Sequence, residues 1–277
     1  VGKLLKRILI HHNNKPFSIE VKERLIALLL EDKKEIVKEE PDVIVVIGGD
    51  GTMLSAIRKH RHLKKPFVGI DTGTLGFLTT IMPDHLEKIY EVLDSKNYRV
   101  NRYPLLSVKI KTISGESYQD VAFNEILIKH EEPKLMEAKL YINNTPFNYF
   151  TGDGLIISTP MGATGYAIWA GGAVVHSDIP VYQITPMTPN DNSVNRPLKS
   201  TMIVPEETKL HVTIEKANRR KVIVACDGNR LSNEYISEID VEINTDDEIH
   251  VIRSDEFDYF DLFKRKIIDK NILRFIE

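Results

Sequence analysis

Val43 to Ile47, an unbroken β-branched run, leads straight into Gly48-Gly49-Asp50-Gly51-Thr52, after which Met53, Leu54, Ala56 and Ile57 recur at helical spacing. A strand, a glycine turn and a helix start in that order set backbone N–H groups where phosphate oxygens can reach them, at the positive end of the helix. The pattern is neither a Walker loop, since no Gly-x4-Gly-Lys-Ser/Thr occurs, nor Gly-x-Gly-x-x-Gly. The chemistry therefore rests on Asp50. A carboxylate there can orient an attacking hydroxyl and accept its proton while a γ-phosphoryl group moves across; alternatively it only caps the helix. Three glycines in the four positions Gly48 to Gly51 favour close approach of a ligand. A second glycine turn, Asp71-Thr72-Gly73-Thr74-Leu75-Gly76-Phe77, follows the strand-like Phe67 to Ile70 and is expected beside the first, the two forming a cleft. Phe77 is either a core aromatic or a platform for a flat base.

A second constellation lies further along. Asn124-Glu125 follows Val121-Ala122-Phe123, and Gly152-Asp153-Gly154 leads through Leu155 to Ser158 into Thr159-Pro160-Met161-Gly162-Ala163-Thr164-Gly165-Tyr166. An amide beside a carboxylate can grip ribose hydroxyls or a base edge, and a Gly/Thr-rich turn offers backbone donors and hydroxyls. Taken singly, each has a plain structural reading: a strand end, a turn residue, a core aromatic. In this order and spacing, with Ala170-Gly171-Gly172 and Cys226-Asp227-Gly228, the motifs resemble the NAD kinase family (ATP or polyphosphate dependent) over nearly the whole chain. The first motif alone is shared with diacylglycerol and sphingosine kinases and, loosely, with phosphofructokinases.

The resemblance implies that Asp50 accepts the proton of the adenosine-ribose 2′-hydroxyl of NAD, with Gly49, Gly51 and Thr52 shaping the phosphate cradle. It implies that Asn124 and Glu125 hold NAD hydroxyls and base, and that Asp153, Thr164, Gly165 and Tyr166 complete the dinucleotide pocket with Phe77 and a second carboxylate, Asp227. Thr188 and Asn190 match a loop that reaches a neighbouring subunit in relatives, so a homodimer or homotetramer is expected. The donor implied is ATP with Mg²⁺, or polyphosphate, and no protein metal ligands are named. Departures from the family block are Met161 and Ala163 for hydroxyl residues, Gly165 for alanine, Thr151 where a basic residue is frequent, and Trp169 where a small polar one is. The alternatives are a lipid kinase of the diacylglycerol/sphingosine type and a non-catalytic NAD-binding protein.

Elements to position these residues are legible in the periodicity. With 277 residues, about two domains are expected. Residues 1–98 alternate β-branched runs with amphipathic stretches, predicting an α/β domain with an open, mainly parallel sheet: a strand at Ile8 to Ile10, a helix from Ile19 to Glu31, and a helical segment from Pro83 closing near Ser95 to Asn97. Residues 99–253 carry short alternating runs, Val108 to Lys111, Lys139 to Ile142, Leu210 to Ile214, Ile239 to Ile243 and Glu248 to Ile252, predicting an all-β, sandwich-like domain. One helix is expected within it, about Thr164 to Val175. Residues 254–277, with Phe260, Phe263, Ile267, Ile268 and Leu273, read as a tail packing back on the first domain.

Lys and Arg total 37 against 40 Asp and Glu, a net charge of −3 without blocks of one sign, so nucleic acid is not an expected partner. The apolar runs Leu25 to Leu30 and Val43 to Ile47 are far shorter than the ~20 residues that span a bilayer, and the first residues lack a secretory pattern. No membrane association is expected. A single cysteine, Cys226, suits a reduced, cytoplasmic setting. His60 and His62, among Arg58, Lys59, Arg61 and Lys64, read as a solvated basic face rather than metal ligands; His11 and His12 receive no role, and His176, just after Gly171-Gly172, reads as a structural histidine.

Overall fold

The computed structural model describes residues 5–73, 76–94, 98–191, 196–254 and 257–269. The chain divides into two compact units, one of residues 1–102 and 249–277, the other of residues 103–248.

The first unit opens with β1 (Arg7–His12), α1 (Pro16–Glu31), β2 (Glu35–Ile36), β3 (Val43–Ile47), α2 (Asp50–His60) and β4 (Phe67–Ile70), followed by a 3₁₀ stretch Pro83–Lys88 and α3 (Ile89–Leu93). Helix α1 starts at Pro16, whose missing N–H costs nothing in a first turn, and buries the stripe Ser18, Val21, Leu25 and Leu29. The five side chains of β3 are all fully buried. That is why β3 shows no alternation: a parallel strand is covered on both faces. The strands run β2-β1-β3-β4, all parallel. Val43, Val45 and Ile47 share one cluster with Val21, Leu25 and Leu29. Parallel order puts the carboxyl ends of β3 and β4 on the same edge, which carries both glycine turns.

The segment from Pro83 is not one helix. His85 sits at φ −129°, ψ 46°, outside helical space, and breaks it into the 3₁₀ stretch and α3. Leu86, Ile89 and Leu93 are nonetheless buried together. The proposed stop at Ser95 to Asn97 lies outside the described residues.

Strand β5 (Tyr98–Thr112) carries the chain into the second unit, which continues β6 (Ser117–Ala122), β7 (Glu125–His130), β8 (Met136–Ile142), β9 (Thr145–Gly152), β10 (Gly154–Ser158), α4 (Tyr166–Trp169), β11 (Val181–Met187), β12 (Met202–Pro205), β13 (Leu210–Ile214), β14 (Val222–Cys226) and β15 (Asn229–Arg230). One antiparallel sheet has the order β12-β11-β10-β7-β14-β15. Opposite it, β13 pairs with β8, and β8 with β9. Alternate residues of both layers, such as Ile126 and Ile128 of β7, Leu155 and Ile157 of β10 and Val212 of β13, meet in a single core. This is sandwich packing. Asn143 and Asn144, both at positive φ (50° and 64°), make the two-residue turn between β8 and β9.

Two expectations are corrected here. The helix foreseen from Thr164 to Val175 is a 3₁₀ turn Gly162–Thr164 and the four-residue α4, because Gly165 leaves helical space and Gly171, at φ +87°, ends the helix as the Gly172 N–H donates back to the Ala167 carbonyl. The runs Ile239 to Ile243 and Glu248 to Ile252 are one strand, β16 (Ile236–Ser254), since no described residue between them adopts a turn-forming positive φ. Its first half pairs antiparallel with β13 in the second unit. Its last residues pair parallel with β4, Val251 opposite Phe67, in the first.

After β16, α5 (Tyr259–Phe263) and a π-helical turn Lys264–Ile268 belong to the first unit. Asp258 caps α5 through the N–H groups of Phe260 and Asp261. Leu273 lies outside the described residues. No helix among the described residues is long and apolar enough to cross a membrane.

Candidate active-site residues

In the first unit, the Asp50 carboxylate is held by backbone from the second glycine turn. The Phe77 N–H donates to Oδ2 at 3.0 Å and the Leu78 N–H to Oδ1 at 2.9 Å. Asp50 therefore does not cap α2: Gly49 occupies the cap position, without a side-chain bond, and Asp50 is the first helical residue. Lys266, in the π-helical turn, donates to Oδ2 as well. Counting lone pairs, Oδ2 is filled by two donors while Oδ1 retains one site. A Cβ on residue 76 would come within 2.7 Å of Oδ1, so glycine is required beside this oxygen.

The turn that grips Asp50 is itself fixed by an aspartate. Asp71, at the end of β4, accepts from the N–H groups of Gly73 (2.9 Å) and Gly76 (2.8 Å) and from the Thr79 hydroxyl (3.0 Å). Thr72 N–H donates to the Gly48 carbonyl, so the two turns adjoin as their strand order requires. Thr74 and Leu75 lie outside the described residues. The Thr52 hydroxyl accepts from Asn13 Nδ2 at 3.1 Å, whereas ideal Cβ atoms on Gly49 and Gly51 would meet nothing within 4 Å. Phe77 is 5% exposed, and the Lys266 ammonium lies 4.5 Å from its ring centroid. His60 is not a solvated residue: its Nε2 lies 3.2 Å from Nδ1 of His11, and burial, with the neighbouring His11, lowers its pKa to about 4.

In the second unit, Asp227 organises Asn124-Glu125. Standing at φ 45° in the turn from β14 to β15, it accepts at Oδ2 from Phe123 N–H (2.8 Å) and at Oδ1 from Asn124 (2.8 Å) and Glu125 (3.1 Å) N–H groups. These three contacts make it the support of the Asn124-Glu125 turn. Thr159 reinforces the turn, its hydroxyl donating to the Phe123 carbonyl at 2.7 Å. Glu125 is left with a buried Oε2 that has no hydrogen-bond partner. Burial first, then the charge of Asp227, pushes its pKa up to about 7, against a smaller opposing pull from the Tyr166 N–H. A Cβ at residue 165 would stand 3.1 Å from that oxygen and 3.8 Å from Asn124 Nδ2. The Gly165 departure thus removes a methyl group that would press on the Glu125 carboxylate.

Around this turn the Thr164 hydroxyl donates to the Met161 carbonyl, Met161 and Ala163 are buried, and Tyr166 is exposed. Trp169 is 72% exposed and does not pack into the core. Asp153 presents an exposed side chain while its N–H donates to the Met187 carbonyl. Thr188 is exposed at φ 43°, and Asn190 is tied to Thr151 through backbone. His176 Nδ1 accepts from the Asp178 N–H. Sequence reasoning missed the role of Asp71, which follows β4 directly and opens the second glycine turn, a position that was available as a signal. It also missed Lys266, which no local pattern marks.

Among the described residues no group of three or more His, Cys, Asp or Glu side chains could hold a metal ion.

Known proteins match the chain in two segments. Residues 7–98 match the model of the ATP-NAD kinase N-terminal domain, and residues 123–260 that of the ATP-NAD kinase C-terminal domain. The NAD kinase of Lactobacillus johnsonii is 34% identical over 261 residues, covering 94% of this chain and 95% of its own. That of Streptococcus thermophilus is 34% identical over 241 residues, 86% and 85% of the two chains. Among solved structures, an NAD kinase from Archaeoglobus fulgidus in complex with ATP superposes with a TM-score of 0.70 at 26% identity, over 94% of this chain and 96% of that one. Yeast NADH kinase complexed with NADH shares the fold, with a TM-score of 0.82 at 21% identity over 97% and 88%.

Proposed function

The chain belongs to the NAD kinase family and is an enzyme that phosphorylates NAD, and from that premise we propose that Asp50 is the general base for transfer of the γ-phosphoryl group of ATP to the 2′-hydroxyl of the adenosine ribose. The observation that supports this most directly is the Asp50 carboxylate at the end of β3, anchored by two N–H groups and keeping one Oδ1 lone pair for an incoming hydroxyl. A ribose hydroxyl is far too weak an acid to ionise beforehand. Its proton therefore passes to Asp50 as the oxygen's bond to the γ-phosphorus forms, while the bond to the bridging oxygen breaks and ADP leaves with the electron pair.

The open space beside Gly49 and Gly51, at the start of the eleven-residue α2, suits donor phosphates facing free N–H groups, with Thr52 bordering them. Magnesium enters as part of the Mg-ATP substrate, held on the phosphates, where it neutralises charge. Asn124, Glu125, Asp153, Thr164, Gly165 and Tyr166 hold NAD; Asp227 contributes by positioning, and Phe77 and Thr188 border the substrates. Polyphosphate is the second donor to test. Assembly as a homodimer or homotetramer is supported by exposed apolar side chains in the second unit, Trp169, Val174 and Ile179 among them. A cytoplasmic setting is supported by the lone, buried Cys226.

The test is NADP formation from NAD with Mg-ATP or polyphosphate, in the native protein and in Asp50→Asn. The variant is expected to lose several orders of magnitude in turnover, with NAD binding retained. Near-normal turnover would remove Asp50 from the mechanism. Diacylglycerol should not be accepted in place of NAD, and a protein that binds NAD but makes no NADP would be a binding protein only.

A further inference from the structure

The contact between Lys266 and Asp50 spans 216 residues of sequence and is not needed to anchor the carboxylate, which already has two backbone donors. Lys266 is drawn there by a short helical segment returning after β16, and its ammonium is fixed from a second side by the face of Phe77, 4.5 Å away. Its side chain keeps 23% exposure and Asp50 keeps 28%, so the pair is reachable by a ligand. Within the first unit, then, a lysine stands at the one carboxylate of the Gly-Gly-Asp-Gly turn.

Resting on the reading of Asp50 as general base, we propose that Lys266 is a catalytic residue that touches the transferring phosphoryl group and lets this carboxylate and a polyphosphate share the same turn. A nucleoside triphosphate brings several negative charges to the backbone donors beside Gly49 and Gly51, next to the negative charge of Asp50. Like charges brought that close near a protein surface repel one another strongly. One ammonium has three N–H donors. With one on Asp50 Oδ2 and Phe77 taking another face, a donor remains for an oxygen of the transferring phosphoryl group. Lys266 loads Oδ2 only, leaving Oδ1 for the acceptor hydroxyl, so it directs which oxygen takes the proton. In the step it serves, the ribose oxygen bonds to the γ-phosphorus, the bond to ADP breaks with ADP keeping the electron pair, and the hydroxyl proton goes to Asp50.

The experiment compares Lys266→Met, which keeps an unbranched stem against Phe77, with Lys266→Ala and Lys266→Arg in the full-length protein, using Mg-ATP and NAD. Lys266→Met is expected to lower kcat by roughly 100-fold and raise the KM for ATP, with the KM for NAD and the melting temperature near native. Lys266→Arg should restore much of the loss, and millimolar methylammonium should partly rescue Lys266→Ala but not Asp50→Asn. Native kcat and KM in Lys266→Met would overturn the proposal, as would a loss that neither arginine nor methylammonium relieves. If Asp50→Asn itself keeps its turnover, the assignment of the base fails. If Asp50→Asn is inactive and Lys266→Met is not, the assignment of Lys266 fails alone.

Discussion

Replacing Glu125 by glutamine should change how stability depends on pH, by an amount the structure sets. Its carboxyl is driven from 4.5 to about 7 by burial first and by Asp227 second, with Oε2 lacking any donor. In the unfolded chain the same group ionises near its ordinary value. The folded state therefore binds the proton more tightly, and the stability this contributes is complete below about 4.5 and is lost as pH rises through about 7. Between pH 5 and pH 8 that loss is on the order of 2–3 kcal/mol. Glu125→Gln abolishes it, so native minus variant stability should fall by this amount over the window, whatever the fixed effect of the substitution. The lone cysteine supplies the assay, because Cys226 is fully buried beside the Glu125 turn's own strand pairing in the second unit. Thiol labelling under graded urea, normalised to the labelling rate of unfolded protein at each pH, reports the opening of that unit. Parallel pH profiles for the two proteins would refute the reasoning, since they would mean that Glu125 is as easily ionised folded as unfolded.

Two further substitutions test the supports of the site. Asp227→Ala removes the acceptor of three backbone N–H groups and should cost at least ~3 kcal/mol while raising the KM for NAD; calorimetry and NAD titration check it, and an unchanged melting temperature would count against the cradle. Gly76→Ala places a Cβ 2.7 Å from Asp50 Oδ1 and 2.6 Å from Thr79 Oγ1, so kcat should fall at least 10-fold as the carboxylate is displaced; steady-state kinetics decide, and native kcat would show that Oδ1 is not the accepting oxygen.

What could be read from the sequence was local. The strand β3, its glycine turn and α2 follow from period and punctuation within fifteen residues (Val43–Ile57), and the sandwich follows from alternation along β8 and β13. The short α4 misled because Ala167, Ile168 and Val175 suggest a longer helical face, whereas Gly165 and Gly171 set the backbone at both ends. The continuity of β16 was hidden by Asn244 to Asp247, whose polarity suggests a turn although the chain stays extended. The sequence divided the chain at 98/99 and 253/254, while the compact units divide at 102/103 and 248/249, within the long strands β5 and β16. A polarity pattern records burial, and it carries no mark where one strand runs from one core to another.

Long-range polar pairing was illegible for a different reason. Asp227 and Lys266 meet their partners across more than a hundred residues, 103 from Asp227 to Asn124 and 216 from Lys266 to Asp50, so no spacing encodes them. Their placement produces opposite conditions for the two acids of interest. Asp50 is surrounded by donors and keeps a single open site, as its proposed role of accepting a hydroxyl proton requires. Glu125 has only the Tyr166 N–H nearby, its Oε2 left without a donor, while Asp227 takes the N–H groups of Asn124 and Glu125. A buried acceptor without a partner costs about 1–3 kcal/mol. A ligand that brings an N–H or O–H to Oε2 recovers that cost on binding, whereas one without a donor there does not. A ligand whose N–H or O–H reaches Oε2 is therefore expected to bind the second unit more tightly than an otherwise equal one without such a donor.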